Sequence, residues 1–241
     1  SHNTQCWKFA LSPDAITILP DLTRRCPAVD PDDHHLYVSL GCAAENIAQA
    51  ASAHGLRAIS APVAPGAGYR LQLSADTAPA SPLYAAITSR QSARTVYDGR
   101  PLTPPELVAL ERAGSSERVS LMLLTERPAI NGILDAVVSA NATQMQDADF
   151  VAELRQWIRF SRREALHQRD GLFSGISGNP SVPRWLGEAM FGMLFTEQGE
   201  TEKYVEQIIS SAGIAIFVGA ESDPAHWMEV GRCFERFALQ C

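Results

Sequence analysis

Two helix-forming segments at opposite ends of the chain carry the same pattern, and that echo constrains the fold more than any other feature. Gly41, Glu45 and Ala48 recur at one constant offset as Gly231, Glu235 and Ala238, and each set follows an Asp-rich turn and a histidine, His35 or His226. The residues ahead of each glycine match only with a one-residue slip. The first helix is predicted over residues 34–56: it is rich in alanine, closes at Gly55, and starts behind Asp30-Pro31-Asp32-Asp33, where acidic groups suit the positive end of the helix dipole. The second helix begins near Pro224. Duplication of one unit and a chance match at three helical positions both account for the echo.

Around these helices the chain mixes strands and helices. Residues 8–11 and 15–19 flank the turn signal Ser12-Pro13-Asp14 and predict a β-hairpin, and residues 59–73 predict a strand pair around Pro65-Gly66-Ala67-Gly68. Residues 74–82, with Ala, Ser, Thr and Pro, read as a linker, and residues 83–89 as a short helix. Thr103-Pro104-Pro105-Glu106 opens the next helix with an N-cap and a proline in the first turn. Residues 119–124 and 214–218 are apolar strands; residues 129–139, 149–163, 185–195 and 201–211 are helices, the second with Val151, Leu154, Trp157 and Ile158 on one face. Residues 170–183 form a loop punctuated by glycine and proline.

At 241 residues and 46% hydrophobic, the chain can bury a large core, as one long domain or two modest ones. The formal charge of −7 offers no basic face for nucleic acid, and no apolar run approaches the roughly 18 residues that span a bilayer. Neither nucleic acid nor membrane is an expected partner. Cys6, Cys26, Cys42, Cys233 and Cys241 are odd in number, widely spaced and without a C-x-x-C pair, so they read as ordinary thiols rather than metal ligands or a disulfide framework. His34-His35 beside Asp30, Asp32 and Asp33 is explained by helix capping, and Asp223 with His226 is half a site without a partner. No serine or cysteine stands in an elbow or triad, so no catalytic side chain is assigned and no metal is expected. The chain opens inside a motif and stops on an uncapped helix, which leads us to expect further residues beyond both ends.

Two motifs carry chemistry. Ser1-His2-Asn3-Thr4-Gln5-Cys6-Trp7-Lys8 sets neutral hydrogen-bonding side chains against a Trp. Asn3 and Gln5 can match the alternating donors and acceptors of a flavin's pyrimidine edge without introducing charge; a polar arm anchored by Trp7 is the plainer alternative. Ser89-Arg90-Gln91-Ser92-Ala93-Arg94 sets two arginines, four apart on an expected helical face, around a serine hydroxyl, as a phosphate requires. A solvated helix face, with Arg94 paired to Asp98, is its alternative.

SHNTQCW resembles the flavin-contacting motif of the nitroreductase family, and SRQSAR resembles that family's arginine-rich phosphate motif. The Asn-Gln motif precedes the arginine motif here, an order similar to that of the duplicated, single-chain Acg-like branch, and GCAAENIAQAASAHGL and HWMEVGRCFERFALQ resemble the corresponding helices of its two units. The resemblance implies an α+β fold, a nitroreductase-like three-layer α/β/α arrangement with mainly antiparallel sheets, in which two fused units form a pseudo-dimer. Residues 1–80 would be the first unit and residues 81–241 the second, with a lid near 170–185 that includes Asp170-Gly171-Leu172-Phe173, Gly178-Asn179-Pro180 and the following Trp185.

By the same resemblance the cofactor is FMN, with Ser1, Asn3 and Gln5 contacting the isoalloxazine and Arg90, Ser92 and Arg94 holding the phosphate. The implied activity is an FMN-dependent oxidoreductase passing hydride from NAD(P)H to an organic acceptor such as a nitroaromatic, quinone or enone. A flavin-sequestering protein with little turnover is the alternative, and a degenerate unit without flavin a third. His2 is a candidate proton donor, with a structural role as its alternative. Cys6 stands where the family pattern has Pro, and Gln91 where it has Arg, which removes one positive charge. The family pattern also has a basic residue and a glycine-rich segment beyond the last helix, which do not occur within these residues. The implied location is the cytoplasm, or the periplasm behind a removed twin-arginine signal, and a further homodimer is compatible with the intrachain one.

Overall fold

The chain turns back at Pro13-Asp14, so that β1 (Trp7–Ser12) and β2 (Ala15–Pro20) pair antiparallel with Trp7 opposite Pro20 and Ser12 opposite Ala15. In the computed structural model, which describes residues 2–64 and 67–241, this hairpin belongs to a four-stranded antiparallel sheet ordered β1-β2-β4-β3. Its other strands are β3 (Leu56–Pro62), which starts directly after Gly55, and β4 (Tyr69–Ala75). Residues 65 and 66 of the expected turn lie outside the described residues.

Side chains alternate across this sheet, so Ile18, Tyr69 and Leu71 share a buried face. Helix α1 (His34–Ala53) covers that face with Leu36, Tyr37, Leu40 and Ala44, and Cys6 and Met228 complete the cluster. The α1 start is satisfied from a distance: the Asp30 carboxylate accepts from the backbone N–H groups of His35 and Leu36, both at 2.9 Å. Asp33, directly before the helix, makes no cap and pairs instead with Arg25.

The second sheet is the antiparallel pair β5 (Val119–Leu124) and β8 (Ile214–Gly219). Ahead of it, α2 (Pro104–Gly114) begins with a capping-box pair in which the Thr103 backbone N–H and hydroxyl donate to the Glu106 carboxylate at 2.7 and 2.8 Å. Between the two strands the chain makes a long excursion: α3 (Arg127–Gln146), α4 (Ala148–Trp157), β6 (Ile158–Arg159), α5 (Arg162–Gln168), β7 (Leu172–Phe173), α6 (Arg184–Ala189), α7 (Phe191–Leu194) and α8 (Glu197–Ser210). It encloses a second core of Ile158, Phe160, Phe191 and Phe195. The chain ends in α9 (Pro224–Gln240). Among the described residues helix makes up 51% and strand 18%, and the two larger sheets are antiparallel, in keeping with the α+β expectation.

Helices α1 and α9 cross where the echoed glycines meet. A Cβ on Gly41 would fall on the Met228 carbonyl, and a Cβ on Gly231 would fall on the Val38 carbonyl. Val38 and Met228 are separated by the same offset as the two glycines, so the crossing relates the helices pairwise as the sequence echo does. Beside it, buried Glu45 accepts from Arg232 at 3.2 Å and Arg236 at 3.0 Å. Glu235 accepts from Asn46 at 3.1 Å.

Several elements differ from expectation. The predicted helix 149–163 stops at Trp157, because Trp157, Ile158, Arg159 and Phe160 are buried consecutively, which no single helical face permits. Ile158 and Arg159 pair with β7 instead, and Ser161 caps a fresh helix through the Glu164 amide. Helix 185–195 is interrupted at Met190, residues 83–89 contain only a 3-10 turn at Pro82–Ala86, and α8 starts earlier, behind the Thr196 cap. Helix α3 runs past Ser139 to Gln146.

Candidate functional site

Residues 2–6 form an arm without regular secondary structure, along which burial alternates. His2, Thr4 and Cys6 are buried, whereas Asn3 is exposed and Gln5 half-buried. Asn3 and Gln5 both have positive φ, 51° and 55°. Asn tolerates this region; Gln does so rarely, so the arm is held there by its contacts. The Gln5 amide donates to the Asn3 Oδ1 at 2.6 Å. Asn3 in turn donates through Nδ2 to the Gly171 carbonyl at 3.0 Å and accepts from the Gly171 N–H at 2.9 Å. The two carboxamides therefore bond first to each other and to loop 170–183.

That loop is latched at its start. Asp170 accepts from Arg159 at 2.7 and 3.0 Å and from Arg24 at 2.8 Å, and Arg24 also donates to the Thr4 carbonyl at 2.7 Å. Burial alone would raise the Asp170 carboxyl, but the hydrogen bonds and charges of Arg24 and Arg159 outweigh it and hold it below its ordinary value.

Arm and loop wall a cavity of about 740 Å³. Asn3, Gln5 and Trp7 line it from the arm; Gln91, Ser92 and Arg94 line it from the second motif; Leu172, Phe173 and Ile176 line it from the loop. Arg94 makes no ion pair among the described residues, and its charge reaches the Tyr204 hydroxyl, which also faces the cavity. Arg90 is turned away: its Nε lies 3.5 Å from Glu235 of α9, and its Nη1 donates to Ser92 Oγ at 3.4 Å. The expected helical face does not form, since residues 91–100 contain neither helix nor strand, and Arg94 is not paired with Asp98. Ser1 lies outside the described residues. Of the expected lid, Gly171 to Ser174 and Ile176 reach the cavity, while Trp185 is 72% exposed and does not line it.

His2 also lines the cavity, at 7% exposure. Burial brings its pKa down to about 4, so the imidazole is neutral at neutral pH and has no proton beyond its single N–H to give. Burial lowers His35, another lining residue, as well. His34, by contrast, stacks on His35 and Trp227, and Asp223 caps α9 through the His226 N–H while bonding its Nδ1 at 3.0 Å.

Sequence reasoning missed Arg24, Asn141, Phe150, Tyr204 and Glu200, all of which line the cavity, and it missed Cys26 and Glu153 beside His2. Phe150, Asn141, Glu200 and Tyr204 come from the long excursion between β5 and β8, and no local pattern ties them to the arm. The one available signal was Glu153, a charged side chain on the buried side of α4, with Trp157 one turn on. No protein-family model matches this chain, and none of the curated proteins matches it either.

Proposed function

We propose that this chain is an FMN-dependent, nitroreductase-like NAD(P)H oxidoreductase that reduces a small organic acceptor such as a nitroaromatic, quinone or enone. One observation carries the reading: two motifs about ninety residues apart, each suited to one end of FMN, line a single cavity of about 740 Å³. That size lies within the ordinary range for cofactor pockets, about 300–1,000 Å³. The donor chemistry also fits, because Arg94 offers an uncompensated guanidinium among the described residues and Ser92 an adjacent hydroxyl. When bound, the flavin supplies the hydride chemistry.

The chain's own residues then bind, orient and exclude water. Arg94 and Ser92 would hold the phosphate. The amides of Gln5 and Asn3, fixed by their mutual bond and by Gly171, present a rigid polar edge to the ring, which keeps reorganisation small. Leu172, Phe173 and Ile176 line the cavity with apolar surface and would restrict water around a bound ring. The two fused units of a pseudo-dimer, divided near residue 80, would place this cavity between them, and the pairwise crossing at Gly41 and Gly231 supports that arrangement.

A second reading, a flavin-sequestering protein with little turnover, draws on the closure of the arm onto loop 170–183 by Asn3, Arg24 and Asp170. Purified protein examined for a yellow flavin spectrum and mixed anaerobically with NADPH separates the two. Bleaching within seconds is the expected result. A spectrum that persists supports sequestration, and a colourless protein that cannot be loaded with FMN overturns both readings.

A further inference from the structure

Beneath the arm three ligand-type side chains converge from three distant segments: His2 from the arm, Cys26 from the turn after β2, and Glu153 from α4. Their ligand atoms all lie within 4.8 Å of one another. The Nε2 of His2 is buried and has no hydrogen-bond partner among the described residues. It is directed toward Glu153 Oε1, but at 3.7 Å the two are too far apart to bond. An imidazole 93% removed from water with an unanswered nitrogen costs free energy, and its persistence asks for a partner.

Glu153 is oriented for such a partner. At 8% exposure it accepts from the backbone N–H groups of Ala28 at 2.9 Å and Val29 at 3.3 Å, the kind of outer-shell bond that fixes a ligating carboxylate. These amides belong to the same turn as Cys26, whose carbonyl accepts from Val29 and Asp30, so ligand and support are one local structure. In a tetrahedral zinc site the ligand atoms lie about 2.0–2.3 Å from the metal, hence roughly 3.3–3.8 Å from one another. A nitrogen and an oxygen ligand in such a site lie about 3.3–3.5 Å apart, so the 3.7 Å between His2 and Glu153 and the thiol within 4.8 Å of both call for only a small approach.

We propose that His2 Nε2, Cys26 Sγ and Glu153 Oε1 form a three-ligand site for Zn²⁺, with its fourth position open to the cavity that His2 and Cys26 line. A thiolate, an imidazole and a carboxylate form a set that suits zinc, and three protein ligands with one open position hold a metal that also carries water or a small anionic ligand. Binding forms three coordination bonds in place of water ligands of the hydrated ion and displaces the Cys26 thiol proton to solvent, with no change of oxidation state. The site does not depend on flavin.

The full chain, stripped with a chelator and titrated with Co²⁺ and then Zn²⁺, provides the test. One Co²⁺ per chain is expected, with a thiolate-to-cobalt charge-transfer band and tetrahedral d–d bands that Zn²⁺ abolishes on displacement. Cys26→Ser should remove the charge-transfer band, and His2→Ala and Glu153→Gln should each weaken binding by at least about tenfold. Circular dichroism of each variant reports whether it has folded, and a second cysteine change, Cys26→Ala, serves if Cys26→Ser does not. Sub-stoichiometric binding, cobalt bands without thiolate character, or unchanged binding in folded His2→Ala overturns the site. The titration is run with and without FMN, so failure of the flavin reading leaves the cobalt result standing.

Discussion

Arg90 and Arg94 lie four residues apart and have different work. Arg94 faces the cavity and is unpaired among the described residues, so Arg94→Ala should cost flavin retention at least tenfold while leaving the thermal midpoint unchanged, read by FMN titration and calorimetry. Arg90 instead answers Glu235, which is 5% exposed and, among the described residues, keeps the Asn46 amide as its hydrogen-bond partner when the arginine is removed. Arg90→Ala should therefore lower stability by about 1 kcal/mol in urea unfolding, with a smaller effect on flavin. Asp170 gives the pH dependence at this scale. Its carboxyl is held below the ordinary value near 3.9, so its contribution is fully present above about pH 4 and is lost only as the pH falls through the lowered native value. Hydrogen exchange in residues 170–183 should accordingly be flat in protection from pH 5 to 8. Asp170→Asn should open the same loop at neutral pH, because it leaves buried Arg159 without its charge partner, at a cost of about 3 kcal/mol.

At the scale of elements, the α1–α9 crossing brings the two helix backbones into close approach, because each glycine lies against a carbonyl of the other helix. Gly41→Ala and Gly231→Ala should each destabilise the protein by about 1–3 kcal/mol through overpacking, by similar amounts because the contacts are paired. Chemical denaturation of the two variants checks both the size and the symmetry; a large effect at only one glycine would contradict the pairing. The longer strands and most helices were legible because their periodicity is local: the Pro13-Asp14 turn, the Thr103 N-cap with its first-turn proline and the apolar run at 119–124 each declare themselves within a few residues. Ile158 and Arg159 were not legible as strand, since Ile158 and the following Phe160 are buried in a cluster with Phe191, Leu172 and Val182 from later in the chain.

At the scale of the whole molecule, Met228 of α9 belongs to the core built by β2, β4 and α1, and Glu45 of α1 ties Arg232 and Arg236 of α9. The two ends of the chain thus share one core and one buried ion cluster. Unfolding followed by tryptophan fluorescence and by far-ultraviolet circular dichroism should give coincident, single transitions. Two separated transitions would show that residues 1–80 and 81–241 fold independently.

The amino-acid order by itself determined the hairpin, the long helices, the repeated glycine-glutamate pattern and the two polar motifs, since each depends on neighbours within a turn or two. It also indicated that Asn3, Gln5, Ser92 and Arg94 carry hydrogen-bonding chemistry suited to a flavin phosphate and ring. Only the tertiary structure decided that these four line one cavity, that Arg90 serves Glu235, and that the Asn3 and Gln5 amides are already engaged with each other and with Gly171. It alone brought His2, Cys26 and Glu153 together. The reason is physical: which of several chemically similar donors meets a given acceptor is set by the path of the backbone through long-range packing, and side-chain type does not encode that path.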